Sequence, residues 1–447
     1  MHAPNLARIA ASASRRAPSP AAAAALATAL TAALGPGRVS TSESARRAAS
    51  TDYSHMSPLL PGVLPQRTAD IVVRPRDNSE LTEAMRLAHA HETPIVARGR
   101  GTGNYGQAVP LAAGLVLDLT ALDAITETGT GWMHAQAGAT FVALEAAARQ
   151  TGQEILMMPT TIGSTIGGFL AGGAGGIGSI EHGWLWNGFV IALDVVACPP
   201  GTAPLALRGQ QCLPYLHAYG VTGVIAAATI KLAPARERKA ILASFPAEAG
   251  DAAVQAGLSL MRQDPPPRLV SIDEPGIVAT YPADGAMPPG RHSLRAIVDA
   301  STLDTVLAVI TGHGGWVEST PEDAESYLST LAFNHVTLRA RKARPELCHL
   351  QVGGPALVTH AAQIRDALPG ALLHLDGGPG GQFAGLLLSE FRDADTLYKG
   401  ITRLEELGVH VVDPHTWLLG GPALDGIRAT AAVNDAHGLL NPGRFPA

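Results

Sequence analysis

The chain has 447 residues, enough for two or three domains with a substantial core. Charged residues make up 16% of it and the formal net charge is −6, a balance that attracts neither nucleic acid nor an anionic membrane and leaves small molecules as the expected partners. Cys198, Cys212 and Cys348 are odd in number and form no CxxC pair, which argues against a disulfide framework or a zinc or iron–sulfur site and favours a reducing compartment.

Residues 1–20 are rich in Ala, Arg and Ser and contain no acid, so disorder is expected there, although a transit peptide shares that composition. Arg15-Arg16 followed by the alanine run Ala21 to Leu34 superficially matches a secretion signal. Pro18 and Pro20 separate the two parts, however, and the run stops at Gly35-Pro36-Gly37, so a short helix opening a connecting segment, 21–66, is the better reading. No apolar stretch is long enough to span a bilayer, and a cytoplasmic protein, with peripheral membrane association left open, is expected.

From Ala69 the pattern is regular. A strand at Ile71 to Val73 precedes a helix that Ser79 should cap, with Leu81, Ala84, Met85 and Ala88 on its apolar face, and a strand over 94–97 leads into a glycine-rich loop, Arg98 to Gln107. Strands over 115–119 and 132–137 and a helix over 141–150 lead to a second such loop, Pro159 to Ser179. Strands over 190–197, 204–207 and 224–232 follow, and Pro234 with the charged 236–239 marks a boundary. Beyond it strands (294–298, 347–352, 371–375, 384–389) mix with helices (303–310, 358–368, 394–407), and a last helix, 423–436, ends before Asn441-Pro-Gly-Arg444.

Dense glycine places main-chain N–H groups where they can approach a phosphate or a flat ring. Gly101-x-Gly103-x-x-Gly106 matches a nicotinamide dinucleotide fingerprint, but no helix starts inside it, and no GK[ST] follows for a nucleotide P-loop. What remains is a strand, an Arg-Gly-x-Gly-Thr-Gly turn, Gln107 three residues before Pro110, and a Gly114-Leu-Val-Leu-Asp-Leu strand. This pattern resembles the flavin-binding domain of the vanillyl-alcohol oxidase and p-cresol methylhydroxylase (PCMH) family of FAD-linked oxidases. Pro159-Thr-Thr-Ile-Gly163 with Ile166-Gly-Gly168 resembles the family's second flavin loop, Ala218 to Ile225 its adenine-side segment, and Asn441 to Arg444 an ending found in the glycolate oxidase and D-lactate dehydrogenase branch.

The resemblance implies an α+β fold: a two-subdomain PCMH-type FAD-binding domain over 67–235, an α+β substrate (cap) domain over 236–420, and a C-terminal helix and tail, 421–447, returning to the FAD domain. It implies FAD contacts from Arg98, Gly99, Arg100, Gly101, Thr102, Gly103, Asn104 and Gln107 in the first loop. In the second they would come from Pro159, Thr160, Thr161, Gly163, Ser164, Ile166, Gly167, Gly168, Gly175, Gly176, Gly178 and Ser179, and beyond it from Gly223, Val224, Ile225 and Asn441. Arg98 offers a diphosphate cationic support, and Ile162, Ile166 and Ile177 offer a ring apolar walls. Thr102 stands where some relatives attach FAD through histidine, and no cysteine lies near Pro159, so FAD is expected to bind non-covalently.

The implied reaction is dehydrogenation of a CH–OH donor, a hydroxy acid or other alcohol, with hydride passing to FAD and a cap histidine taking the hydroxyl proton. His415, with Asp413 beside it around Pro414, and His335 are the leading candidates, and His374 with Asp376 is a third segment of interest. Arg339, Arg341, Lys342 and Arg344 could meet a carboxylate or form a solvated face. Where the hydroxy-acid branch carries a Gly-Asp-Gly-Asn-x-His metal segment, this chain reads His374-Leu-Asp-Gly-Gly-Pro-Gly-Gly-Gln382, so no metal site is carried over. A flavin reduced in this way would pass its electrons on to oxygen, a quinone or a cytochrome. The alternatives are an NADPH-dependent flavin reductase of the UDP-N-acetylenolpyruvylglucosamine type and a non-catalytic flavin-binding subunit.

Overall fold

Three sheets organise the chain, and the computed structural model describes residues 6–65, 67–282, 286–322 and 324–446. The first sheet holds β1 (Val39–Ser40), β2 (Ile71–Val73), β3 (Ile95–Arg98) and β4 (Leu115–Asp118) in the order β1-β2-β4-β3, with β2 and β3 both parallel to β4. The second holds β5 (Ile125–Gly129), β6 (Trp132–Gln136), β8 (Val190–Val196), β9 (Leu205–Arg208) and β10 (Val224–Pro234) in the order β5-β6-β10-β8-β9, and β7 (Gln153–Ile155) pairs with the far end of β10. Ile71, Leu115, Ala137, Val196, Val224 and Ala226 share one core between these sheets, and the C-terminal Leu439 and Leu440 complete it. The chain end is thereby drawn back onto β3, where Leu440 bridges Ile95.

The third sheet is antiparallel throughout. It contains β11 (Arg238–Phe245), β12 (Leu269–Asp273), β13 (His292–Asp299), β14 (Trp316–Ser319), β15 (Leu347–Gly353), β16 (Leu372–Gly377), β17 (Phe383–Glu390) and β18 (His410–Val412), ordered β14-β11-β13-β12-β16-β17-β15-β18. Side chains alternate across a strand, and here the two faces differ in chemistry. Ile241, Val270, Ile272, Leu294, Leu350 and Leu375 build an apolar core with the helices Gly250–Leu260, Leu303–Gly312 and Ala394–Glu406. The opposite face carries Ser271, Asp273, Arg295, His349, His374 and Asp376, all buried. A polar sheet face removed from water needs partners or a ligand.

The junction with this cap sheet is ionic. Glu154 of β7, 1% exposed, pairs with Arg149 at 2.9 Å, with Arg268 ahead of β12 at 3.1 Å, and with Arg238 of β11.

Local chemistry accounts for most elements. Helix Phe141–Gln150 starts where Thr140 caps Ala143 N–H, and Gly152, at φ +70°, turns the chain out of it. Helix Asn78–Ala90 buries the expected Leu81, Ala84, Met85 and Ala88, but its cap is Asp77, whose carboxylate accepts from Glu80 N–H at 2.8 Å; Ser79 lies within the first turn. The expected helix over 358–368 is two short ones, Ala356–Thr359 and Ala361–Asp366, because His360 leaves helical geometry at φ −126°.

The expectation of disorder over 1–20 is corrected from residue 6 onward, residues 1–5 lying outside the described ones. Leu6–Ser14 is a helix whose Leu6, Ala10 and Ala13 share one face and pack on Leu60, Val109, Leu111 and Trp417. Among the described residues no helix is long and apolar enough to cross a membrane.

Candidate flavin and substrate site

The two glycine-rich loops meet. A Cβ on Gly99 would fall 2.0 Å from Thr165 Oγ1, so the first loop can lie against the second only because residue 99 has no side chain. The second loop is fixed to the end of β6 by Ile166 N–H to Ala139 and Gly167 N–H to Ala137 carbonyls, both 2.8 Å. Met158 and Ile177 exchange main-chain hydrogen bonds, closing the segment on itself.

The C-terminus fastens the first loop from behind. Asn441 donates from Nδ2 to the carbonyls of Gln107 at 2.9 Å and Tyr219 at 2.7 Å. Arg444, wholly buried, donates to the carbonyls of Gly106 at 2.9 Å and Val109 at 2.5 Å and to Asn441 Oδ1 at 2.8 Å. Burial pushes the Arg444 pKa down to about 10, so the guanidinium stays charged at neutral pH.

These loops fit FAD on their own geometry. The main-chain N–H groups from Gly101 to Asn104 donate to no acceptor among the described residues, a run of free donors suited to a diphosphate. Gly163 faces open space where a Cβ would touch nothing, and the hydroxyl of Ser164 is buried without a partner. Thr160 is buried and Pro159, Thr161 and Gly168 line the same stretch.

Several side chains expected at the cofactor are committed elsewhere. Arg98 turns to the C-terminal carbonyls of helix Glu43–Ala49, donating to Ala48 at 3.1 Å and Ala49 at 2.5 Å, because that helix end leaves acceptors unpaired. Ile166 and Ile177 point into the core beside Phe141 and Phe169, and Val224 and Ile225 are core residues of β10. Gly175, Gly176 and Gly178 allow close packing on Trp184 and the carbonyls of Met158 and Leu156; Ser179 accepts from Gly176 N–H at 3.0 Å, and Gly223 sits against Val195. Such residues have only their main chain to offer a cofactor.

Tyr105, the aromatic of the first loop, crosses to the cap. Its hydroxyl meets Gln351 Nε2 of β15 and lies 3.5 Å from Asn334 Nδ2 of helix Asn334–Ala343. Burial pushes the Tyr105 pKa up to about 12. Two residues along β15, on the same face as Gln351, stands His349, 3% exposed, with no hydrogen-bond partner at either ring nitrogen among the described residues. His415 lies beside it, ring centroids 6.2 Å apart. Its Nδ1 is 2.9 Å from Ser57 Oγ, and its Nε2 is buried and unpartnered. From the helix, Thr337 Oγ1 and the Nε and Nη1 of Arg341 are likewise buried and unpartnered. Burial first, then the neighbouring His415 imidazole and the Arg341 charge, hold the His349 pKa down at about 3.

Of the sequence candidates, His415 belongs to this buried polar cluster. Asp413 does not reach the imidazole: its carboxylate accepts the His415 main-chain N–H at 2.8 Å and the Tyr398 hydroxyl at 3.1 Å, which shapes the turn. His335 sits on the same helix with a buried, unpartnered Nδ1 but makes no hydrogen bond to His415 or Asp413. Of the four basic residues, Arg339 is bonded to Thr330, Arg344 to Glu346 and Glu390, and Lys342 is exposed, leaving Arg341. His374 lies in a separate network, fully buried between Asp273 (2.5 Å) and Asp376 (2.7 Å). Sequence reading missed Tyr105, His349, Gln351 and Ser57. The signal for two of them was the alternation Cys348-His-Leu-Gln-Val352, in which the polar positions share a face.

An FAD binding domain model matches residues 69–203, the stretch that contains both loops. The chain is 28% identical over 195 residues to D-lactate dehydrogenase of Archaeoglobus fulgidus, covering 41% of this chain and 43% of that protein. It is 29% identical to glycolate oxidase subunit GlcD of Bacillus subtilis, covering 42% of each. The chain thus spans less than half the length of these curated relatives. A solved structure of alkyldihydroxyacetonephosphate synthase shares the fold over 93% of this chain and 85% of its own, with a TM-score of 0.75 at 15% identity. The stretch that contains both loops is therefore an FAD binding domain, and over it the chain is similar to FAD-linked dehydrogenases and oxidases.

Proposed function

We propose that the protein is an FAD-dependent oxidoreductase that dehydrogenates a CH–OH donor at the buried polar cluster where Tyr105 meets the cap sheet, with FAD bound non-covalently. The observation that carries this reading is the cluster of buried polar atoms without a partner among the described residues, Thr337 Oγ1, Arg341 Nε and Nη1, both ring nitrogens of His349 and His415 Nε2, reaching along the cap from a residue of the flavin loop. Buried polar atoms rarely stay unpaired in a native protein, and several in one place mark the position of a ligand. When bound, FAD supplies the acceptor for the hydrogen and electron pair leaving the substrate carbon.

This chain's own residues would do the remaining work. The two free donors of Arg341 suit a carboxylate, which favours a hydroxy acid among alcohols. Tyr105, Asn334 and Gln351 would orient the substrate from the flavin side, and the His349–His415 pair would manage the hydroxyl proton. In this reading 67–235 is the FAD domain, 236–420 the cap, and 421–447 the tail that returns to hold the first loop; 21–66 is the connecting segment from which Ser57 joins the site.

Purified protein should carry FAD, and glycolate or D-lactate should bleach it in the absence of oxygen. Bleaching by NADPH alone would support a reductase instead, and a flavin that none of these reduces would support a non-catalytic subunit. Oxygen, a quinone dye and a cytochrome, offered in turn to the reduced protein, would identify the acceptor class.

A further inference from the structure

The hydrogen bonds around Ser57 assign a proton. Ser57 Oγ accepts from the main-chain N–H groups of Leu59 and Leu60, both at 3.1 Å. A hydroxyl has two lone pairs and one hydrogen, so both acceptor places are filled and its O–H must donate. The remaining neighbour is His415 Nδ1, at 2.9 Å. Nδ1 is therefore an acceptor, and the neutral ring carries its hydrogen on Nε2, the atom left without a partner. Burial keeps that ring neutral and outweighs Asp413, with Arg341 acting in the same direction as burial and the His349 carbonyl against it.

We infer that His415 is locked by Ser57 as an Nε2–H donor and that its neighbour His349 is the group that takes the substrate's hydroxyl proton. This rests on the alcohol oxidation proposed above. The O–H proton passes to a bare nitrogen of His349, the C–H hydrogen leaves with its electron pair to the bound FAD, and a carbonyl remains. Nε2–H of His415 holds the substrate oxygen while this happens. Neither ring nitrogen of His349 has a protein partner, so one is bare in the neutral ring. An acid group seated against Arg341 offsets that charge, the smallest of the causes that depress His349 after burial and His415, and so raises its basicity.

The test uses holoprotein labelled with 15N-histidine. Ring-nitrogen spectra should show His415 protonated at Nε2 and bare at Nδ1, and Ser57→Ala should release this to a mixture of tautomers. With glycolate or D-lactate, His349→Gln should slow flavin reduction about 10²- to 10⁴-fold at unchanged FAD content. His415→Gln, whose side-chain N–H replaces that of Nε2, should lose less than about tenfold, mostly in KM. A proton on Nδ1 of His415, or a loss in His415→Gln equal to that in His349→Gln, overturns the assignment. If neither alcohol bleaches the wild-type flavin, alcohol oxidation falls, while the spectrum still decides the tautomer.

Discussion

Arg444 donates to the carbonyl of Gly106 at 2.9 Å, so a residue four from the end of the chain sets the backbone of the first flavin loop. The same guanidinium reaches Val109 and Asn441, and Asn441 reaches Gln107 and Tyr219. Five carbonyl or amide oxygens thus depend on two C-terminal side chains. Arg444→Met leaves buried acceptors unpaired and should cost roughly 3 kcal/mol of stability. Arg444→Lys keeps the charge but not the fork and should restore only part. Both variants should lose FAD on gel filtration at concentrations where the wild type keeps it; full retention in Arg444→Met would show that the loop holds its shape unaided.

Glycines in the second loop separate into two kinds, and substitution should tell them apart. A Cβ on Gly176 would lie 2.0 Å from the Met158 carbonyl, whereas one on Gly163 meets nothing. Gly176→Ala should therefore destabilise the fold by several kcal/mol, on the order of other backbone clashes. Gly163→Val should unfold at the wild-type temperature yet bind FAD at least about tenfold more weakly, roughly 1.4 kcal/mol. Circular dichroism melts and FAD titration of the stripped protein check both. Unchanged FAD affinity in Gly163→Val would remove residue 163 from the cofactor wall.

Covalent attachment needs a nucleophile at the ring; the first loop has no histidine or cysteine between Arg98 and Pro110, and the hydroxyl of its Tyr105 is engaged by Gln351 and Asn334. Cys198, Cys212 and Cys348 are buried, and burial pushes the Cys198 pKa up to about 12, leaving it a thiol. Acid precipitation should release all flavin into the supernatant. A yellow pellet would contradict non-covalent binding.

What the sequence revealed divides by the range of the interactions involved. The glycine loops, the helix over 141–150 and the apolar face of Leu81, Ala84, Met85 and Ala88 were legible because local geometry and periodicity decide them. The buried polar cluster was only half legible. His415 stood out beside Asp413 and Pro414, but its partner Ser57 is 358 residues away, and no local pattern joins them. Arg341 could be told from Arg339 and Arg344 only after folding had given the latter two their partners. Arg98 shows the same dependence: a cation beside a glycine-rich loop reads as a phosphate contact, and the acceptors its guanidinium reaches, Ala48 and Ala49, come from a separate helix.

His374 makes the fold itself sensitive to pH. Its two ring nitrogens face carboxylates, Asp273 at 2.5 Å and Asp376 at 2.7 Å, and a carboxylate only accepts, so both nitrogens must carry hydrogen and the ring is a cation. Arg295 supplies a second cation, 2.8 Å from Asp273, and Ser271 binds Asp376 at 2.5 Å. Burial opposes the charge, but the two carboxylates outweigh it and raise the His374 pKa to about 9. Because the folded value lies above the unfolded one of about 6.5, this contribution is complete below pH 6.5 and is lost as pH rises through 9. The difference is roughly 3 kcal/mol. Urea unfolding should therefore weaken by about that amount between pH 6.5 and 10 in the wild type. His374→Gln, less stable below about pH 9 because two buried carboxylates lose a cation, should show a flatter profile over that window. An equally steep alkaline decline in His374→Gln would place the titrating group elsewhere.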